Sequence, residues 1–174
     1  MAADDSAPLL RLARAGEGVH LFEVTRLSVA SLARGHYSDA QIAGWMGART
    51  PSYYEGLIAR GGVVVAALGD TVLGFVDAEP GEITRLFLRP EAAGSGLGRR
   101  LLEIGLAAAR HGHDGPVTVE STLNAEGFHA RHGFRRIGRG TFSHGIGGDP
   151  IEIVQMELPR APTGPSAETG SPRT

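Results

Sequence analysis

The sequence predicts an α/β fold in which helices pack on one mixed β-sheet. Three observations predict it. Apolar residues recur at helical spacing before Val63, the stretch from Val63 to Leu88 switches to short β-rich runs divided by turn signals, and the rest alternates helix-like and strand-like segments. Helices, then a β-meander, then β-α-β-α-β-β is the order of a mixed α/β sandwich on a single sheet.

The elements follow in order. Val19, Phe22, Leu27, Val29, Ala30 and Leu32 predict a helix over Glu17 to Arg34. Ser38 with Gln41 three residues on has capping-box spacing, and starts a short helix that carries Ile42, Trp45 and Met46 and ends near Gly47. A third helix follows Pro51 through Tyr53, Tyr54, Leu57 and Ile58 to Gly61-Gly62. Val63 to Leu68 and Thr71 to Ala78 are strands joined at the turn signal Gly69-Asp70. Pro80-Gly81 breaks the chain, and Glu82 to Leu88 is a third strand that Pro90 ends. Leu97 to His111 is an amphipathic helix, with Leu97, Leu101, Ile104, Gly105 and Ala108 on one stripe. Val117 to Thr122 is a strand, Ala125 to His132 a short helix, Phe134 onward extended again, and Ile151 to Leu158 the closing strand.

Composition narrows the function classes. The 174 residues suit one domain, and a net charge of -2 supplies no general attraction for nucleic acid or an anionic membrane. No cysteine is present, which excludes disulfides, thiolate–zinc sites and a cysteine nucleophile, and fits a reducing, cytoplasmic setting. Asp4 and Asp5 stand where a signal peptide is basic, and no stretch approaches the roughly 20 apolar residues of a membrane span. Residues 1–8 are expected to be a flexible terminus, 9–158 the domain, and 159–174, with four Pro and no aromatic residue, a disordered tail.

The densest signal is RPEAAGSGLGRRLL, residues 89 to 102. A strand ends, Gly94, Gly96 and Gly98 let the backbone turn sharply, and a helix starts at once. Its first-turn N–H groups form an anion site at the positive end of the helix dipole. Arg99 and Arg100 oppose that dipole where they stand, and an incoming pyrophosphate would convert the penalty into attraction. The spacing is neither a dinucleotide fingerprint, which needs Gly at Arg99, nor a P-loop, which needs Lys-Ser or Lys-Thr. The loop by itself implies a phosphate-bearing ligand, or only a tight strand-to-helix connection.

The segment ITRLFLRPEAAGSGLGRRLLEIGLAAA resembles the acetyl-CoA-binding segment of the GNAT (GCN5-related N-acetyltransferase) superfamily, and VESTLNAEGFHARHGFRRIG resembles the strand and helix that follow it there. The resemblance spans about residues 9 to 158. It implies a mixed sheet of about six to seven strands, splayed between the fourth and fifth, and flanked by about four helices. It also implies acetyl-CoA as cosubstrate, with the pantetheine in the splay and the pyrophosphate on the loop. Mapped onto this chain, the cofactor residues are Leu86, Phe87 and Leu88 of the strand, Gly94, Ser95, Gly96, Leu97, Gly98 and Arg99 of the loop and helix start, and Asn124, Phe128 and Arg131 of the second segment. Two positions depart from the family pattern. Ala93 stands where Arg or Gln is usual, and His129 where many members place a Tyr that protonates the departing thiolate.

The implied reaction moves an acetyl group from acetyl-CoA to a primary amine of a small molecule or protein. Without cysteine, no acetyl-cysteine intermediate can form, so direct attack in a ternary complex is expected. The amine must first lose a proton, the oxyanion needs a donor, and the thiolate must leave. By resemblance the donor is the backbone N–H of Phe87 or Leu88. Glu82 and Glu120 are the candidate bases; each is otherwise a solvated strand residue or an ion-pair partner for Arg85, Arg135 or Arg136. His129 is the candidate acid, since an imidazolium with a pKa near about 6.5 is a stronger acid than a Tyr near about 10; otherwise it contacts the pantetheine without proton transfer. Trp45, Tyr53 and Tyr54 line an acceptor pocket or are core anchors. His111, His113, His129 and His132 lie on different elements with no carboxylate at ligand spacing, so no metal is expected. A homodimer is common among members. A non-catalytic acetyl-CoA- or CoA-binding regulatory domain is the alternative function for the same loop.

Overall fold

The computed structural model describes residues 7–144 and 150–160. The expected disordered tail, from residue 161 on, and residues 1–6 of the expected flexible terminus lie outside the described residues. Seven strands form one sheet in the order β1-β2-β3-β4-β5-β7-β6. They are β1 (Leu9–Leu12), β2 (Val64–Leu68), β3 (Thr71–Glu79), β4 (Glu82–Leu88), β5 (Val117–Thr122), β6 (Arg135–Thr141) and β7 (Glu152–Leu158). The helices are α1 (Gly18–Leu32), α2 (Asp39–Met46), α3 (Pro51–Arg60), α4 (Leu97–Arg110) and α5 (Glu126–Arg131), five where about four were expected. Among the described residues no helix is long and apolar enough to cross a membrane.

Local chemistry accounts for the boundaries. The Ser38 side chain accepts from the Gln41 amide while the Gln41 side chain accepts from Ser38 N–H, so the capping box that starts α2 is complete. Thr50 caps α3 ahead of Pro51. Strand β1 is the one element the residue pattern did not predict. Its four residues show no period, and pairing with β2, from Leu9↔Ala67 to Leu12↔Val64, defines it.

Two layers of helix sandwich the sheet. Leu97, Leu101, Leu102 and Ala109 of α4 pack on Val76, Ile83, Val117 and Val119. Gly105 brings α4 close, because a Cβ there would sit 2.7 Å from Val76 Cγ2. On the other face Leu21, Val24, Tyr54 and Leu57 of α1 and α3 cover Val65, Val72 and Phe75. Beside them Val29, Ala33, Tyr37 and Trp45 cover Phe142, Ile151 and Ile153.

Strands β4 and β5 are parallel and pair only at Glu82↔Thr118 and Ile83↔Val119. On their outer sides both stay paired to their ends, Leu88 with Gly74 and Thr122 with Ile153. The sheet is therefore splayed between its fourth and fifth strands, and the facing edges beyond Ile83 and Val119 carry no strand partner.

Candidate active site

Helix α4 begins without a side-chain cap. Its N-cap is Gly96 at φ 85°, in the left-handed region that glycine adopts freely, and Gly94 at φ 78° precedes it. The Leu97 N–H has only a long contact, 3.4 Å, to Ser95 Oγ. Gly98 and Arg99 carry first-turn N–H groups with no partner inside the helix. No acidic residue stands in that turn to compensate the dipole.

A cavity of about 600 Å³ runs from this turn along β4 to α1 and α2. Of the expected cofactor residues, Leu86, Phe87, Leu88, Gly94, Gly96, Gly98, Arg99, Asn124, Phe128 and Arg131 line it. Ser95 and Leu97 do not: the Ser95 hydroxyl donates to the Ala92 carbonyl at 2.7 Å, and Leu97 is in the core. What those two bring to the loop is main chain. Asn124 Oδ1 is buried without a hydrogen-bond partner beside the cavity, an acceptor suited to an amide N–H. These residues fit acetyl-CoA: open main-chain donors for a diphosphate, a splayed strand edge for an amide-bearing arm, and Arg99 and Arg131 for phosphate charge.

Strand alternation decides which of the amides expected as oxyanion donors face the splay. The Arg89 N–H donates to Leu73 of β3, so by period two the Phe87 amide also faces β3, while those of Leu86 and Leu88 face the splay. Phe87 is therefore corrected as a donor, although its side chain lines the cavity.

A bulge opposite Asp77 and Ala78 inserts Thr84 into β4. Ile83 thus packs toward α4, whereas Phe87 packs against Trp45 and Phe75 on the other face. Glu82 consequently shares the face of Arg85 and Phe87. Val119 packs toward α4, so Glu120, its neighbour on β5, lies on that face as well. The two candidate bases thus share a face, and neither lines the cavity. Neither is in the ion pairs considered for it: Arg85 holds Asp77 at 2.9 Å and Arg135 holds Glu157 at 2.5 Å, while Arg136 pairs with Glu126. Glu82 instead accepts from His144 Nε2 at 2.8 Å, and Glu120 accepts from the Ser143 N–H at 2.8 Å.

His129 sits on the opposite face, 4% exposed, and is absent from the cavity lining. Its Nδ1 lies 3.1 Å from the Ala125 carbonyl and 3.0 Å from Ser121 Oγ, and its Nε2 is buried without a partner. Burial lowers its pKa from 6.5 to about 4. An imidazolium acid at neutral pH, the role its residue type suggested, is therefore not available here.

Residue pattern missed the far end of the cavity, lined by Ser28, Val29, Leu32, Ala33, His36 and Tyr37. Periodicity marks these positions as helix and its exit, with nothing to distinguish lining from core. Tyr37 is the informative one: its OH donates to the Glu152 carbonyl at 2.6 Å and accepts from the Leu123 N–H at 2.9 Å, fixing the turn that carries Asn124. Trp45 both anchors the core and lines the cavity, Tyr54 is core, and the Tyr53 OH accepts from Arg85 at 2.6 Å.

Comparison with known proteins decides the family. Residues 33–158 match the model of the acetyltransferase (GNAT) domain. The chain belongs to the GNAT family. A GCN5-related N-acetyltransferase from Rhodopseudomonas palustris has this fold at TM-score 0.80 and 23% identity, over 89% of this chain and 97% of that one. The PaiA N-acetyltransferase from Thermoplasma acidophilum, solved with coenzyme A, aligns at TM-score 0.69 and 18% identity, over 88% and 99%. YncA from Salmonella typhimurium, solved with its cofactor acetyl-CoA, aligns at 0.60 and 19%, over 93% and 99%. At these identities the likeness to this GNAT chain is one of fold. No curated protein matches the chain.

Proposed function

We propose that the protein is an N-acetyltransferase that moves an acetyl group from acetyl-CoA to a primary amine of a small molecule or protein, by direct attack in a ternary complex. The observation that carries the reading is the single cavity that joins the uncapped start of α4 to the open edge of β4 and on to α1 and α2. When bound, acetyl-CoA supplies an acetyl group activated as a thioester. The Gly98 and Arg99 amides hold the diphosphate, and Arg99 and Arg131 supply charge. The Leu86 or Leu88 amide stabilises developing negative charge on the acyl oxygen. Val29, Leu32, Ala33 and Trp45 exclude water from the acceptor end, while Glu82 and Glu120 draw in the ammonium. Direct attack is supported by the complete absence of cysteine.

The test combines calorimetry with CoA and acetyl-CoA and thiol release across a panel of amines. Acetyl-CoA at 100 times its dissociation constant should stabilise the fold by about 2.7 kcal/mol. Turnover of an amine with that stabilisation supports the reading. Stabilisation without turnover on any amine supports the regulatory, non-catalytic alternative, and no heat with millimolar CoA on folded protein removes both.

A further inference from the structure

We infer that His144, oriented by Glu82, is the group that takes the proton from the acceptor's ammonium. The inference rests on the acetyltransferase reading above and deepens it. His144 follows β6 in a segment that Ser143 ties to β5 through Glu120, at 2.8 Å. Its Nε2 lies 2.8 Å from Glu82 Oε1, and an ionised carboxylate only accepts, so Nε2 carries the hydrogen. In the neutral ring Nδ1 is then a lone pair, and among the described residues the ring's one hydrogen bond is that of Nε2 to Glu82. The pair is reachable, with side chains 21% and 29% exposed. The ring stands edge-on to Phe142 at 5.8 Å, Phe142 edge-on to Trp45 at 5.6 Å, and Trp45 lines the cavity. Two rings, Phe142 and Trp45, thus lie between His144 and the cavity, and an ammonium meets the pair on its exposed side.

The charges that face His144 are Glu82 and Arg85 from β4 and Glu120 from β5. Arg85 is already held by Asp77 at 2.9 Å, so the local field is anionic and favours an approaching ammonium. The same hydrogen bond from Glu82 raises the His144 pKa above 6.5, against a smaller opposing effect of burial. In the step itself an N–H bond of the ammonium breaks, the electron pair stays on the amine nitrogen, and the proton goes to Nδ1. Glu82 holds the resulting imidazolium until the proton passes to solvent. A carboxylate alone would be a weaker base; paired with the ring it orients and strengthens a better one.

The experiment is the pH dependence of thiol release from acetyl-CoA with the amine panel, for the wild type, H144Q and E82Q, with acetyl-CoA affinity measured alongside by calorimetry. A His144 base is active only when neutral, so the wild-type rate should rise with pH along a limb centred above pH 6.5. H144Q should lose that limb and about 100-fold in kcat or more, with acetyl-CoA affinity unchanged. E82Q should move the limb to lower pH. NMR titration of the histidine rings, in wild type and E82Q, reads the same pairing without an acceptor. A limb and rate retained in H144Q would overturn the inference, as would a His144 titration at or below 6.5 that E82Q leaves in place. Acetyl-CoA binding with no turnover of any amine would overturn it while leaving the cofactor site standing. Failure of acetyl-CoA to bind would overturn the acetyltransferase reading and this inference with it.

Discussion

The burial of His129 has a consequence that equilibrium unfolding can measure. Its Nδ1 hydrogen is directed at the Ala125 carbonyl, its Nε2 is buried without a partner, and the Phe128 and Phe134 rings stand 5.2 and 5.5 Å from its ring, centroid to centroid. Protonation would bury an N–H⁺ with no acceptor. The unfolded chain takes the proton near 6.5 and the folded chain only near about 4. Stability is therefore complete above 6.5 and falls as pH drops through the window, because the unfolded state binds more protons there. With these two values the loss from pH 7 to pH 5 is about 2 kcal/mol, approaching about 3 kcal/mol by pH 4. Urea denaturation of wild type and His129→Phe at pH 7, 6 and 5 isolates this contribution, since the carboxylates that also titrate are common to both proteins. The wild type should lose about 2 kcal/mol more than the variant over that range. Parallel stability curves would refute the reasoning, because they would mean that the ring titrates alike folded and unfolded, and an imidazolium acid would return to the scheme. At pH 7 the same variant should keep kcat within about threefold, far short of the loss expected for a general acid.

Three further outcomes are expected. Tyr37→Phe leaves the Leu123 N–H and the Glu152 carbonyl without their partner, which should cost about 2 kcal/mol in urea denaturation and weaken acetyl-CoA binding through the loosened Asn124 turn. Gly96→Ala meets open space but must hold φ at 85°, so it should cost about 1–2 kcal/mol of stability, with acetyl-CoA affinity by calorimetry down about tenfold. Asp77→Asn leaves Arg85, 9% exposed, without its carboxylate, and should lower the free energy of unfolding by about 3 kcal/mol.

Much of the fold was legible where residues act locally. Ser38 and Gln41 announce the start of α2, Pro51 that of α3, and the glycines after Pro90 that of α4, because caps and left-handed turns need specific residue types within a few positions. Strand β1 was not legible, since LLRL becomes a strand only by pairing with residues more than fifty positions away. The loop before α4 could be read because its shape is set by main-chain geometry, which glycine records. That Glu82 and Glu120 share a face could not be read, because the bulge at Thr84 reverses the expected alternation of β4. Nor could the fate of two histidines be told from their type. His129 is sealed behind α5 and Ser121, while His144, unremarkable in the sequence, is carried across to Glu82 by the chain leaving β6.

Strand β7 is inserted between β5 and β6, and Phe142 to His144, which leave β6, reach toward Trp45 and Glu82. The loop end of the cavity is made largely of main chain that any residue could supply, whereas the far end is furnished by side chains from separate stretches, the exit of α1 and Trp45, with Phe142 behind Trp45. Under the proposed function, substitutions in those stretches change which amine is accepted while the loop stays as it is.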